Sequence, residues 1–490
     1  MMEFFVQDIM SSIQFILRHM LFINFILSIV IVFFQRREPR AVWAWLLILY
    51  SVPIVGFIIY LFAGTDTHKR KMFRLKEIED GINEAIRQQE HSIENMEMEE
   101  ENPELKGFFD LVYYNLHSSG AIFTNDNSVK VFTDGNEKFD ALLEDIKQAR
   151  NFIHIQYYII RNDVLFNRIR EALVEKAKEG VEVRILYDGM GCRAVPPRYW
   201  KKLKADGIQC VEFFPALMRR LHLRINYRNH RKIVVIDNQV AYVGGYNIGK
   251  EYIGLSAKFG YWRDTHLRIQ GTAVNELQIR FILDWNYAAR ENLFQQEQYF
   301  LTQHKSKGHT RMQIVSSGPD SALQNIRNNY LRLINKAKKS IYIQTPYFIP
   351  DESIFNALII AIQSGVEVNI MIPCKPDHPF VYWATYSYVG DMIMAGANCY
   401  TYNNGFLHAK GLIIDGKVYS YGTANMDIRS FSLNFEVNAV VYDKEEAQKM
   451  EKIFKEDLKY CSNISKDRYS RRKLSIRIKE QFCRLLSPLL

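Results

Sequence analysis

Two copies of one short motif carry the residue types in this chain that could do chemistry. The first copy holds His230, Lys232 and Asp237 with the spacing H-x-K-x4-D, and a second copy repeats that spacing later in the chain. The match continues past each aspartate, so both copies read H-x-K-x4-D-x6-G-[GT]-x-N. The second copy consists of His408, Lys410 and Asp415, and the extensions add Gly245 and Asn247 to the first copy and Thr423 and Asn425 to the second. Two copies that share these further offsets indicate a duplicated functional site.

Each copy is predicted to lie on a β-hairpin. Residues 232–236 and 410–414 are short apolar runs rich in β-branched side chains, and each leads through a turn at the motif aspartate into a second apolar strand. The His and Lys are two residues apart, so they share one face of the first strand. The glycine is expected to let the backbone approach a ligand closely, and the asparagine to offer amide donors. The alternative is two ordinary hairpins that carry a surface His and Lys.

This pair of motifs suits the transfer of a phosphodiester. One neutral imidazole is needed as a nucleophile and one imidazolium as an acid, and neighbouring groups can push the pKa values of two histidines apart. The cations Lys232 and Lys410 and the amides of Asn247 and Asn425 can stabilise the anionic oxygens of the phosphoryl group. No metal or other cofactor is required, so activity is predicted to survive a chelator.

A catalytic imidazole usually needs a carboxylate to orient it. Asp264 is the candidate in the first half of the chain, and Glu436 is the candidate in the second. Asp237 and Asp415 belong to the motif and are therefore candidate catalytic residues. Their positions at hairpin turns favour structural anchors over proton carriers.

The duplicated motif resembles that of the phospholipase D superfamily, whose members make and break phosphodiesters. The resemblance implies a reaction in two steps. One histidine attacks phosphorus and forms a phosphohistidine, while the other protonates the leaving alcohol.

The elements around the motifs are duplicated as well. Strands alternate with helices from residue 128 onwards, which indicates a layered α/β domain. Gly180-Val181-Glu182-Val183 is echoed by Gly365-Val366-Glu367-Val368 in the second half. We therefore predict two phospholipase D-like α/β/α sandwich halves, residues 104–300 and 301–490, related by a pseudo-twofold axis that brings both motifs to one cleft.

Residues 1–65 are predicted to form a two-helix transmembrane hairpin. The 23 residues 41–63 carry no charge and are long enough to cross a bilayer, and residues 20–34 form a second, shorter apolar run. A cleaved signal peptide is the alternative, but the chain does not begin with a basic region. The distribution of Lys and Arg places the catalytic body in the cytoplasm. Residues 66–103 are predicted to be a charged helical connector.

Composition favours an anionic partner. The chain has 63 Lys and Arg against 54 Asp and Glu, a net charge of +9, which suits either lipid head groups or nucleic acid. The six cysteines include no C-x-x-C pair, so neither a disulfide framework nor a zinc site is predicted. Residues 468–490 have the pattern of a basic amphipathic helix, which could lie on an anionic membrane or pack on the body.

Within the superfamily, several strings resemble the bacterial cardiolipin synthases. They are Arg36-Arg37-Glu38-Pro39-Arg40, Trp43-Ala44-Trp45, Trp262-Arg263-Asp264-Thr265-His266 and Thr345-Pro346-Tyr347-Phe348-Ile349-Pro350. The resemblance implies a phosphatidyltransferase of the bacterial plasma membrane that joins two phosphatidylglycerol molecules into cardiolipin and releases glycerol. It implies anionic phospholipid and the bilayer as partners, no nucleic acid, His230 as nucleophile and His408 as acid.

Three other functions stay open at this point. A membrane-anchored phospholipase D would use water or another alcohol as acceptor. A nuclease could carry the same motif, although the apolar amino-terminal segments argue against it. A membrane scaffold without activity would need a decayed site, whereas both motifs are intact.

Overall fold

The computed structural model describes residues 2–34, 39–63, 86–95, 97–98, 103–214, 227–300, 308–321 and 323–487. These residues belong to two compact units, an amino-terminal helical unit and an α/β body. Most of the predicted charged connector lies outside the described residues, apart from a helix over 86–94.

One continuous 16-stranded sheet forms the centre of the body. The first half contributes β1 (Thr124–Phe132), β2 (Phe152–Tyr157), β3 (Glu182–Asp188), β4 (Gln209–Phe213), β5 (Arg228–Asn229), β6 (Ile233–Ile236), β7 (Val240–Gly244), β8 (Trp262–Arg263) and β9 (His266–Gln270). The second half contributes β10 (Thr310–Ser317), β11 (Ser340–Gln344), β12 (Phe348–Ile349), β13 (Glu367–Pro373), β14 (Asn398–Tyr402), β15 (Phe406–Leu407), β16 (Gly411–Ile414), β17 (Val418–Gly422), β18 (Met426–Asp427), β19 (Asn434–Val441) and β20 (Cys461–Asn463). Of these, β8 pairs with β15 and β12 with β18 in two small separate sheets.

The strand order of the large sheet confirms the predicted duplication. Read outward from the centre, the first half runs β1-β9-β7-β6-β2-β3-β4 and the second runs β10-β19-β17-β16-β11-β13-β14. The two orders correspond strand for strand, and β1 pairs antiparallel with β10 where the halves meet. The strands that follow the two motif histidines, β6 and β16, therefore occupy equivalent places on either side of a pseudo-twofold axis.

Helices cover both faces of this sheet. The body helices are Phe109–Ser119, Gly135–Gln148, Val164–Lys178, Pro197–Ala205, Ala273–Ala289, Asn325–Lys336, Glu352–Gln363, Pro379–Ala395, Ile428–Ser432, Lys444–Leu458, Lys466–Ser470 and Leu474–Leu485. On one face, Ala273–Ala289 and Lys444–Leu458 share a single core that spans both halves. On the other face, each half has a core of its own. The two motif strands have side chains on both faces, so each is fixed by packing from above and below.

Two helices of the first half have aspartate caps at their amino-terminal ends. These helices begin at Gly135 and Val164. The carboxylates of Asp134 and Asp163 accept hydrogen bonds from the first free backbone N–H groups of these helices. Both aspartates therefore act as helix caps.

The amino-terminal unit differs from the uninterrupted apolar span predicted over residues 41–63. Its helices are Met2–Ile29, with a π-helical turn over Val30–Phe34, then Pro39–Ser51 and Pro53–Ala63. Pro53 has no N–H to donate to the carbonyl of Leu49, and the side-chain amide of Asn24 donates to that carbonyl instead, at 2.8 Å. Among the described residues, no helix combines the length and the apolar character that a bilayer crossing requires.

Candidate active site

Two pairs of short parallel strands place the motif histidines. β5 runs beside the start of β19, and the backbone N–H of His230 donates to the carbonyl of Phe435 at 3.0 Å. β15 runs beside β8, and the N–H of His408 donates to the carbonyl of Arg263 at 2.7 Å. Each histidine is therefore fixed through its backbone to the opposite half of the body.

The side chains cross between the halves in the same way. Nδ1 of His230 lies 2.9 and 3.0 Å from the two carboxylate oxygens of Glu436. Nδ1 of His408 lies 2.5 Å from Oδ2 of Asp264. The sequence assigned Glu436 to the second half and Asp264 to the first, whereas each carboxylate contacts the histidine of the other half. The sequence located both candidate carboxylates but did not specify which histidine each one contacts.

This arrangement leaves Nε2 of both rings for chemistry. A carboxylate at Nδ1 holds the ring proton there and fixes the ring orientation. Within the described part of the chain, no hydrogen bond engages Nε2 of His230 or His408. The two side chains are 11% and 9% exposed, so each ring is nearly buried but keeps a small part of its surface in contact with solvent. Tyr158 packs against His230 and Trp262 against His408, with ring centres 4.9 and 5.1 Å apart.

The motif lysines lie beneath the histidines. Nζ of Lys232 donates to the carbonyl of His230 at 2.6 Å, and Lys410 donates to the carbonyl of His408. Nζ of Lys410 is also 2.7 Å from Nδ1 of His408 and 3.9 Å from Asp264. Both lysines are buried, and burial lowers the pKa of Lys232 to about 7 and that of Lys410 to about 8. Their positive charge is therefore sensitive to pH near neutrality.

The two histidines and their carboxylates form one electrostatic cluster. Burial lowers the pKa of both His230 and His408 to about 4, with Lys232 and Lys410 acting in the same direction and the carboxylates against it. Burial alone would raise the pKa of Glu436 and Asp264, but the adjacent histidines and lysines lower it. Near pH 7 the carboxylates are therefore ionised and both imidazoles are neutral.

The glycine and threonine of the extended motifs support the carboxylates. A Cβ atom on Gly245 would lie 1.9 Å from Oδ1 of Asp264, so only glycine leaves room for that carboxylate. At the equivalent position, the hydroxyl of Thr423 hydrogen-bonds to Glu436 and to the backbone of Val437. The backbone at these two positions therefore lies against the carboxylates that hold the histidines. The close approach of the preceding motif glycine to a ligand stays a prediction.

The two motif asparagines are engaged within their own halves. Asn247 accepts from the N–H of Ile159 and donates to the hydroxyl of Tyr252, both at 3.1 Å. The side chain of Asn425 hydrogen-bonds to the carboxyl group of Asp427. These contacts hold the loops after β7 and β17, and donation from the asparagine amides to a phosphoryl group stays a prediction.

The motif aspartates lie at the turn end of each hairpin, beyond the strand from the histidines. Asp237 accepts hydrogen bonds from the N–H groups of residues 150, 151 and 152. Asp415 accepts from those of residues 338, 339 and 340. These contacts match the interpretation of Asp237 and Asp415 as structural anchors. They hold both carboxylates at the turn ends of the hairpins, away from the histidines.

Two buried ion pairs were not predicted from the sequence. Arg231 binds Asp284 at 2.5 and 2.7 Å and donates to the carbonyl of Glu436, while Arg263 binds Asp457 at 2.9 and 2.7 Å. The partners are 53 and 194 residues apart in the chain, so no local pattern marks them. Each arginine adjoins a site residue in sequence, which fixes the backbone at His230 and Asp264.

The duplicated fold and its crossed pair of His-Lys motifs define a phospholipase D-like protein. The family model described as "Cardiolipin synthase, PLD-like domain" matches residues 142–285 and 330–458, and the one described as "Phospholipase_D-nuclease N-terminal" matches residues 22–64. The chain belongs to the cardiolipin synthase family of phospholipase D-like proteins, as the resemblance predicted.

Curated relatives match along almost the whole chain. The chain is 49% identical over 481 residues to the major cardiolipin synthase ClsA of Bacillus subtilis (strain 168), covering 98% of this chain and 100% of that protein. It is 50% identical over 469 residues to the cardiolipin synthase of Oceanobacillus iheyensis, covering 96% and 97%. Among solved structures, phosphatidylserine synthase of Haemophilus influenzae Rd KW20 shares the fold, with a TM-score of 0.59, 13% identity, and coverage of 77% and 99%.

Proposed function

We propose that this protein is a phosphatidyltransferase that joins two phosphatidylglycerol molecules into cardiolipin and releases glycerol. The observation that carries the proposal is the pair of nearly buried imidazoles, each held at Nδ1 by a carboxylate from the opposite half. The identity of about half of all residues to proteins named cardiolipin synthases supports this choice of substrate.

In the first step, Nε2 of His230 attacks the phosphorus of one phosphatidylglycerol. A P–N bond forms, the P–O bond to the headgroup glycerol breaks, and His408 gives a proton to the departing oxygen. Glu436 at Nδ1 stabilises the positive charge that grows on the attacking ring. The products are glycerol and a phosphatidyl group bound to His230.

In the second step, the same groups work in reverse. His408, now neutral, removes the proton from a glycerol hydroxyl of the second phosphatidylglycerol, and that oxygen attacks phosphorus. The P–N bond breaks, cardiolipin leaves, and both histidines return to their first protonation states. The low exposure of both rings keeps water from the intermediate, which favours transfer over hydrolysis.

The charge of the substrate favours protonation of His408, which takes its proton from solvent before the first step. Burial lowers the pKa of this ring to about 4, whereas Asp264 favours its charged form. A bound phosphodiester adds a negative charge beside the ring and raises its pKa. The same anion is held by Lys232 and Lys410, so binding of the lipid and protonation of the acid are coupled.

We further propose that the amino-terminal unit holds the enzyme at the plasma membrane as a multi-pass segment. The catalytic body then faces the cytoplasm. Its exposed side chains include Phe33, Phe34, Trp43 and Leu47, each at least 69% exposed. Large exposed apolar surfaces of this kind mark sites of membrane or protein contact. Protease treatment of sealed cells and of inverted vesicles tests the orientation, because only inverted vesicles should expose the body.

Incubation of the purified protein with headgroup-labelled phosphatidylglycerol tests the function. We expect cardiolipin and free glycerol in equal amounts, and no cardiolipin from the His230→Ala variant. Phosphatidic acid without cardiolipin would contradict transfer and indicate a phospholipase D. Degradation of single-stranded DNA at a comparable rate would indicate a nuclease.

Trapping of the covalent intermediate tests the assignment of the two histidines. With phosphorus-labelled phosphatidylglycerol, an acid-labile and base-stable label should remain on His230 when the reaction is quenched. The His408→Ala variant should retain the label in the presence of a donor with a good leaving group. A label on His408 would reverse the two roles.

A further inference from the structure

The last helix of the body, Leu474–Leu485, packs on the helix Pro379–Ala395 through one face. Cys483 is buried in a small cluster with Ile349 and Ala384. Glu480 is fully buried and accepts hydrogen bonds from Arg472 at 2.9 Å and from the hydroxyl of Tyr469 at 3.1 Å. These contacts fix the rotation of the helix about its own axis.

The opposite face of the same helix carries an apolar strip that the rest of the described chain leaves exposed. Leu474, Ile478, Phe482 and Leu485 are 71%, 60%, 56% and 79% exposed. Spacings of four, four and three residues put these side chains on one stripe, on the far side of the helix from Glu480 and Cys483. Four large apolar side chains in one exposed row are unusual for a surface that meets water alone.

Basic side chains border this strip. Lys473, Arg477 and Lys479 are exposed. The single acidic residue of the helix, Glu480, is turned inward and paired with Arg472, so it does not offset their charge. An apolar row with a cationic border is the pattern of a helix that lies in the interface of an anionic bilayer.

The surface continues towards the active site. Lys479 lies 5.5 Å from the ring centre of Trp383, and Phe380, near the start of the neighbouring helix, is 54% exposed. Three residues before Phe380, the carboxylate of Asp377 accepts a hydrogen bond from the hydroxyl of Tyr347. The charge of Asp377 also acts on Lys410 of the site. The helix that carries Phe380, on which the last helix packs, therefore begins close to the site that receives the phosphodiester.

We propose that Phe380, Leu474, Ile478, Phe482 and Leu485, with the border of Lys473, Arg477 and Lys479, form a docking surface for an anionic lipid bilayer. The apolar row enters the boundary between head groups and acyl chains, and the basic border binds anionic head groups. Each basic residue raises partitioning onto an anionic surface roughly fivefold. The docked body presents its site to lipid head groups, so this surface is a second membrane contact in addition to the amino-terminal unit.

An experiment on the full chain separates docking from chemistry. The Ile478→Ser/Phe482→Ser variant is compared with a matched Val164→Ser/Leu255→Ser variant, whose positions are 53% and 59% exposed in the first half. Transfer is measured with phosphatidylglycerol in vesicles and with a short-chain phosphatidylglycerol dissolved as monomers. We expect the first variant to lose about tenfold or more on vesicles, with monomer rates within about twofold of the wild type, and the control to lose neither. Equal vesicle rates, or equal losses on both substrates, would overturn the proposal.

The basic border provides a variant that leaves the buried face of the helix unchanged, because Lys473 and Arg477 are exposed. Among the residues that the structure describes, the only side-chain hydrogen bond removed is the one from Arg477 to the carbonyl of Ser470. Lys473→Gln/Arg477→Gln should lower the rate on anionic vesicles by roughly five- to twentyfold. The difference from the wild type should vanish in high salt, because screening removes the attraction. A loss that is unchanged by salt would count against a role of this border in binding lipid.

A binding measurement completes the test without turnover, because the rates above rest on the proposed function. A fluorophore on Ile478→Cys should be quenched by lipids with a nitroxide in the acyl chain, and a fluorophore on Leu255→Cys should not. Quenching without cardiolipin synthesis would reject the proposed function and retain the docking surface. Cardiolipin synthesis without quenching would reject the docking surface alone.

Discussion

The carboxylate of Asp264 and the imidazole of His408 lie 2.5 Å apart, although 144 residues separate them in the chain. The same crossing joins His230 to Glu436 over 206 residues. Neither half of the body contains a complete pair of imidazole and carboxylate. Both pairs form when the halves join through β1 and β10, so catalysis depends on the junction between the halves.

The crossed pairs predict different responses to the leaving group. Asp264→Asn weakens the acid His408, so turnover of phosphatidylglycerol should fall by about 10² to 10⁴. A nitrophenyl phosphodiester has a leaving group that needs no proton, and on it the loss should be less than about tenfold. Glu436→Gln weakens the nucleophile His230 and should lose about equally on both substrates. The rate of the first chemical step, measured as the burst of glycerol or nitrophenol in the first turnover, tests each case, because His408 also acts as the base of the second step. The opposite pattern would exchange the roles of the histidines.

Gly245→Ala should displace a carboxylate without touching a histidine. The added Cβ would lie 1.9 Å from Oδ1 of Asp264, which has to move away from His408. We expect kcat to fall by about 10² or more with little change in the melting temperature. Gly107→Ala is the matched control, since a Cβ there meets nothing within 4 Å. Full activity of Gly245→Ala would contradict the positioning of His408 by Asp264.

The buried lysines predict the alkaline limb of the pH profile. Burial disfavours their charged form and lowers the pKa of Lys232 to about 7 and of Lys410 to about 8, so positive charge is present below these values and lost above them. Because these charges hold the phosphodiester, kcat/KM should decline by about tenfold per pH unit above about pH 7, and by up to about a hundredfold per unit above about pH 8, where both lysines lose their charge. A profile of kcat/KM at constant ionic strength that stays flat to about pH 9 would show that the lysine charges are not needed.

Asp237 and Asp415 predict a loss of stability and not of chemistry. Replacing Asp237 by Ala removes the acceptor for three backbone N–H groups and leaves Ala in a left-handed conformation, since φ is 52° there. The free energy of unfolding should fall by about 2 kcal/mol or more. Thermal unfolding measures this loss, with the exposed Asp140→Ala as control. The initial rate at low temperature should stay within about threefold of the wild type. A loss of activity of about 10³ with an unchanged melting temperature would instead indicate that Asp237 takes part in catalysis.

Local features of the fold were predictable from the sequence, because they depend on neighbouring residues. The motif hairpins follow from apolar runs around Asp237 and Asp415, and the strands Ile233–Ile236 and Gly411–Ile414 lie within a residue of their predicted bounds. The duplication of the halves was also readable, since corresponding strings recur in the same order.

The crossing of the site was not predictable, because it depends on pairing between distant segments. Asp264 and Glu436 were recognised as orienting carboxylates, but the sequence carries no sign that β8 pairs with β15 or β5 with β19. The ion-pair partners of Arg231 and Arg263 could not be predicted either, because they also lie far away in the sequence. The helix break before Pro53 was predictable, because proline lacks the N–H that a continuous helix needs. The prediction of one uninterrupted span relied on the apolar composition of residues 41–63 and did not take Pro53 into account.

The two halves that meet at the antiparallel pair of β1 and β10 belong to one chain, so the assembly of the site does not depend on protein concentration. If the two halves were separate chains, each imidazole would lose its carboxylate as the concentration fell below the dissociation constant. A covalent link keeps the halves at a high effective concentration at any expression level. A few copies of the protein in a cell therefore each carry an assembled pair of histidines, with no encounter between subunits required.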